Sequence, residues 1–125
     1  MEEKSNKSLS PNRIRKSFRY AFRGVRRLFL YTPNARIHLL FTLGVIGGGL
    51  FFGISRSEWL ILILCIVLVL SLEAINSALE QIADKVTTDY SPLIRDAKDL
   101  AAGAVLITAI GSAIIGLWIF IPYIL

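Results

Sequence analysis

Residues 59–84 read WLILILCIVLVLSLEAINSALEQIAD, and the reading of this stretch decides the fold. Its first 14 residues, Trp59 to Leu72, carry no charge. They are too few to cross about 30 Å of hydrocarbon as a helix. No proline or glycine interrupts residues 73–84, so the helix continues through Glu73-Ala-Ile-Asn76-Ser-Ala-Leu-Glu80-Gln-Ile-Ala-Asp84 and carries these polar groups towards water. An apolar span running without a break into acids sets this helix apart from an ordinary anchor.

Working outward, Ile37 to Ser55 is a second charge-free run with His38 as its one titratable group, and the 26 residues from Leu100 to Leu125 are a third. The pattern implies an all-α integral membrane protein with transmembrane helices near 37–54, 59–85 and 98–121. An amphipathic surface helix over 12–31 precedes them. Ser55 to Glu58 is expected to form a tight turn, and 86–96 a polar loop containing Asp89, Tyr90, Ser91 and Pro92. At 125 residues the chain suits one domain, 12–125, behind a polar tail, 1–11. A hydrophobic share of 54% disfavours disorder and a small soluble nucleic-acid binder. Lone Cys65, placed mid-span as a packing residue, excludes an internal disulfide framework and a Cys-rich zinc site.

The charges are segregated. Residues 1–36 hold 10 of the 14 Lys and Arg, opposed only by Glu2 and Glu3. With three spans, one side holds every basic residue except Arg56, and the excess of Lys and Arg marks that side as cytoplasmic. The N-terminus is thus expected on the cytoplasmic side, and it lacks the short apolar core of a cleavable signal. Within the arm, Ile14, Phe18, Ala21, Phe22, Val25, Leu28 and Phe29 recur at helical spacing while arginines fill the other faces. Such a helix suits an anionic lipid surface rather than nucleic acid. Small residues, Gly44 and Gly48 among them at small-xxx-small spacing, suit close helix contact in a bundle or an oligomer. Trp59, Trp118 and Tyr123 read as anchors at the outer interface.

A helix of 3.6 residues per turn puts Glu73, Asn76, Ser77, Glu80 and Asp84 within an arc of about 100° over about 16 Å of rise. Carboxylates near hydrocarbon are costly unless hydrated, paired or metal-bound, and from Trp59 to Asp84 the helix offers no cation of its own. Lys98 and Asp99 arrive from the start of the next helix. Carboxylates, an amide and a lysine at a lipid–water boundary suit ion or proton transport. They suit metal-assisted phosphoryl transfer equally well. A solvated helix end is the plainer alternative. A Walker loop is absent, so any nucleotide site must be built from helix ends and the 86–96 loop.

The stripe Glu73-Ala-Ile-Asn76-Ser-Ala-Leu-Glu80-Gln-Ile-Ala-Asp84, followed by Ala97-Lys98-Asp99 and a run of small residues, closely resembles the signature of the small bacterial integral-membrane diacylglycerol kinase and undecaprenol kinase family. The resemblance runs without gaps from about Arg13 to Ile121. It implies an ATP- and Mg2+-dependent lipid kinase that phosphorylates a membrane lipid alcohol. By resemblance, Glu73 is the general base, Asn76 orients substrate or base, and Glu80 holds the magnesium that accompanies ATP. Asp84, Lys98 and Asp99 match polar positions towards the nucleotide. Arg13 and Tyr20 match surface-helix residues near ATP, and Asp89 and Tyr90 match the loop that touches it, with Ser91 where a histidine is common. The resemblance further implies a homotrimer whose active sites are shared between neighbouring subunits. Asn-Ala-Arg-Ile-His and the Ile-Phe-Ile-Pro ending are closer to the undecaprenol branch than to the diacylglycerol branch.

One position departs. Where the family usually places a second metal-binding glutamate, this chain has Thr32, in Tyr31-Thr32-Pro33. A neutral hydroxyl is a weaker magnesium ligand than a carboxylate, so the departure implies weakened activity. It also leaves open a catalytically impaired, lipid-binding relative, just as the acidic face leaves open a small ion-coupled transporter. Two other groups carry expectations: His38 bonds a carbonyl or a lipid headgroup, and Asp96 pairs with Arg95.

Overall fold

A computed structural model describes residues 10–125; most of the polar tail, residues 1–9, lies outside the described residues. The chain forms four helices in order: α1 (Pro11–Tyr31), α2 (Pro33–Phe52), α3 (Arg56–Val86) and α4 (Pro92–Ile124). The last three are long and apolar enough to cross a membrane, as the charge-free runs require. At 1.5 Å per residue, the 31 residues of α3 reach about 46 Å, well beyond the hydrocarbon.

Local chemistry sets each boundary. Ser10 caps α1 by accepting from the Arg13 amide at 3.3 Å. Residues preceding proline are pushed out of the helical region, and Thr32, before Pro33, is extended at φ −115° and ψ 104°. One non-helical residue thus separates α1 from α2, and Pro33 starts the new helix where its missing N–H is not needed. Arg36 secures this joint: its guanidinium donates to the Phe29 carbonyl at 2.8 Å and also to the Leu30 carbonyl, filling acceptors left open at the end of α1. α2 ends at Gly53, whose φ of 63° lies in the left-handed region that favours glycine.

Two sequence-based boundaries shift. The turn expected at 55–58 is shorter, because Ser55 and Glu58 form a reciprocal capping box and α3 begins at Arg56. The loop expected at 86–96 shrinks to 87–91, because Pro92 opens α4 and Asp96 becomes helical. α4 also continues past 121 to Ile124, with Pro122 in its last turns.

α3 and α4 pack against each other most extensively, and α2 lies against both. The core sits at the end of the bundle where α2 turns into α3, with Ile54, Leu62 and Ile119 buried under Val45, Phe52, Trp59, Ile115 and Phe120. Trp59 corrects its expected role as an interfacial anchor: its ring turns inward onto Gly49, and only hydrogen there allows the approach. Trp118 stays exposed, and the Tyr123 hydroxyl donates to Glu58 at 2.5 Å, tying the last turn of α4 to the start of α3. The small-residue spacing is used only in part: Gly48 meets Phe120, whereas a side chain at Gly44 would meet nothing within 4 Å. α1 touches α2 and α3 but not α4. Only Leu28 of its apolar stripe is buried, while Ile14, Phe18, Phe22 and Val25 face outward.

A Cβ at Gly49 would lie 2.6 Å from the Trp59 ring. Gly49→Leu is therefore expected to destabilise the chain by about 1–3 kcal/mol, the usual penalty of overpacking. Unfolding in detergent measures this, and the loss should shrink when Trp59→Leu is added; equal losses in both backgrounds would contradict the packing.

Candidate active site

The α1–α2 joint and the C-terminal half of α3 come together through the polar stripe. Glu73 is almost fully buried, at 2% exposure, and Asn76 is buried one turn further on. Opposite Glu73 stands His38, six residues into α2, with Nε2 3.8 Å from Oε2. This corrects the expected carbonyl or headgroup partner. A buried carboxylate in an apolar span is strongly driven to find a polar partner, and the one titratable group of the neighbouring span supplies it. The sequence carried a partial signal, a single titratable group between Ile37 and Ser55 and a single acid cluster on the next span, but nothing in it said that the two meet.

Thr32 lies at the same place. Its hydroxyl is 3.3 Å from that of Ser77 on α3, so the position expected to hold a metal-binding carboxylate does face the polar stripe. In this chain it spends its hydrogen bond on a neutral neighbour. The carboxamide oxygen of Asn76 is buried with no hydrogen-bond partner among the described residues. A buried acceptor without a partner is unusual, and this one stands ready for a donor or a cation.

Further along the stripe, Glu80 is exposed and makes no ion pair among the described residues. Asp84, one turn on, receives Lys98 from α4 at 2.5 Å. Asp99 pairs with Arg95 at 3.4 Å, four residues earlier on the same helix. Arg95 therefore does not pair with Asp96 as expected: helical spacing places i and i+4 side by side, whereas adjacent residues diverge. Asp89 and Tyr90 are exposed in the loop, where the Asp89 amide donates to the Thr87 hydroxyl at 3.1 Å. Arg13 and Tyr20 are exposed on α1, and their side chains make no hydrogen bond or ion pair among the described residues. The chain thus gathers Thr32, His38, Glu73, Asn76 and Ser77 at one level and Asp84 with Lys98 at another. Arg13, Tyr20, Asp89 and Tyr90 join neither.

Among the described residues no three acidic, histidine or cysteine side chains gather as a metal cage. That donor set still fits magnesium bound to a nucleotide, which keeps several waters and takes one or two carboxylates alongside phosphate oxygens. Glu80 supplies a carboxylate without a competing cation, and Asn76 an unpartnered oxygen.

The family model described as prokaryotic diacylglycerol kinase matches residues 19–120. An undecaprenol kinase of Bacillus subtilis is 40% identical over 111 residues, covering 89% of this chain and 90% of that protein. A diacylglycerol kinase of Synechocystis is 39% identical over 107 residues, covering 85% of this chain and 61% of the longer relative. The diacylglycerol kinase of Escherichia coli is 28% identical over 110 residues, covering 88% and 90%.

The Lys98–Asp84 bridge links α4 to α3 near water, with Asp84 61% exposed. A double-mutant cycle with Lys98→Met and Asp84→Asn should give a stability coupling of about 0.2–1 kcal/mol, the range of exposed pairs. It should decline as salt rises. Coupling that is absent at low salt would show that the two side chains do not meet.

Proposed function

The chain belongs to the prokaryotic diacylglycerol kinase family, a family of lipid kinases, and from that premise we propose that it transfers the γ-phosphate of ATP to undecaprenol in preference to diacylglycerol. Family membership decides between the two chemistries open to an acidic transmembrane face: the chain is a phosphotransferase with an alcohol acceptor, not an ion-coupled transporter. The observation that carries the site assignment is the burial of Glu73 among Asn76 and His38, next to the Thr32–Ser77 contact.

In this reading the lipid hydroxyl approaches from the hydrocarbon side and gives its proton to the Glu73 carboxylate. Its oxygen forms a bond to the γ-phosphorus, the bond from that phosphorus to the bridging oxygen breaks, and ADP leaves with the electron pair. Little covalent help is required, because phosphoryl transfer rests on positioning and on offsetting charge. Asn76 orients the reacting groups. Lys98, released from or shared with Asp84, offsets charge on the phosphates, while Arg13, Tyr20, Asp84, Asp89, Tyr90 and Asp99 are polar contacts on the nucleotide side. Glu80 and Asn76 would hold Mg2+, which on binding with ATP neutralises phosphate charge.

The basic helix α1, with its apolar stripe facing outward, supports docking on the anionic inner surface of the bacterial cytoplasmic membrane, N-terminus inside. The exposed apolar faces of the spans support assembly into a homotrimer. In that assembly α1 and the loop of a neighbouring subunit would complete each site.

Purified chain incubated in mixed micelles with γ-labelled ATP, Mg2+ and a lipid extract is expected to label a lipid. With pure acceptors, undecaprenol should be labelled faster than diacylglycerol; the reverse order would reassign the acceptor. No labelling at high Mg2+ would instead favour the impaired relative implied by Thr32. Thr32→Glu should lower the Mg2+ concentration for half-maximal rate, and an unchanged requirement would mean that the metal is held without this position.

A further inference from the structure

We propose that His38 is the positioning residue of the reaction, holding the Glu73 carboxylate towards the acceptor alcohol; this rests on Glu73 acting as the base. Three observations meet at this side chain. Its Nε2 lies 3.8 Å from Glu73 Oε2, and no lysine or arginine lies within ion-pair distance of Glu73 among the described residues. The two side chains come from different helices, so the contact fixes Glu73 relative to α2 and not merely along α3. His38 also lines a cleft of about 520 Å³ between α2, α3 and α4, whose walls, including Phe41, Val69 and Leu117, are predominantly apolar.

The position of His38 in that cleft is what gives the contact a function. Val69 is the innermost α3 residue on the wall, and Glu73 comes one helical turn after it. His38 therefore stands between an apolar cleft within the spans and the buried carboxylate. A glutamate side chain has three rotatable bonds, and a base must point at the proton it removes, since misplacement by about 1 Å can cost 10²-fold in rate. A cationic or hydrogen-bonding partner that orients a base is a recurring arrangement in proton-transfer sites. Within this chain His38 is the group able to do it.

The test compares the native chain with His38→Leu, His38→Gln, Glu73→Gln and the double variant His38→Leu/Glu73→Gln, measuring kcat and KM for MgATP and for lipid in mixed micelles. His38→Leu should lower kcat about 10- to 100-fold with both KM values little changed, as for loss of orientation. His38→Gln, which keeps a nitrogen near the position of Nε2, should recover most of that loss. In the Glu73→Gln background, His38→Leu should cost nothing further, because the group it positions is gone. An unchanged kcat in His38→Leu, or a loss that adds fully to that of Glu73→Gln, would overturn the positioning role while leaving Glu73 as base. Native turnover in Glu73→Gln would instead overturn the base assignment beneath it.

Discussion

One carboxylate constrains the rest of this molecule. Glu73 sits almost fully buried in a helix otherwise built to cross hydrocarbon, where an acid is expensive unless it is paired or neutralised. A helix this apolar would be simpler, and more stable, with leucine at that position. Retaining the acid requires α2 to bring a polar partner to the same level, and His38 provides it. It also requires that α1 and α2 break apart just before that level, so that Thr32 turns onto Ser77 rather than into lipid. The Thr-Pro step and the Arg36 clamp on the last carbonyls of α1 hold the break in place. The joint between surface helix and first span is therefore an extension of the site, made by one residue that cannot be helical.

The end of the bundle where α2 turns into α3 answers a different need. There the packing is apolar and close, with Trp59 on Gly49, Phe120 on Gly48, and the Glu58–Tyr123 hydrogen bond clasping the helix ends. At the opposite end Lys98 on Asp84 ties α4 to α3.

How much of this was legible in the sequence depended on the length scale of the signal. The three spans, the amphipathic arm and the acidic face of α3 follow from periodicity and charge-free runs, which are properties of many residues at once. Helix ends rest on single side chains: Pro92 and the Ser55–Glu58 capping box extend α4 and α3 beyond where apolar periodicity stops. Contacts between helices are harder still. Glu73 and Asn76 could be placed on one face by spacing alone, but the approach of His38 depends on how α2 sits against α3, which no local pattern encodes. The Arg95–Asp99 pair, by contrast, obeys a helical rule that became usable only once 92–96 was known to be helical. Arg13, Tyr20, Asp89 and Tyr90, proposed for the nucleotide side, stay apart from the Glu73 cluster among the described residues.

The central claim is that the buried acid of α3 does the chemistry and is not merely tolerated. It is tested most directly by the rate of phosphate transfer to pure undecaprenol by folded, membrane-reconstituted Glu73→Gln beside the native chain. The expected result is a loss of about 10²- to 10⁴-fold in kcat, the range of a general base, with MgATP binding retained. A variant that turns over at the native rate would contradict the claim, and would mean that Glu73 is buried for reasons of packing alone.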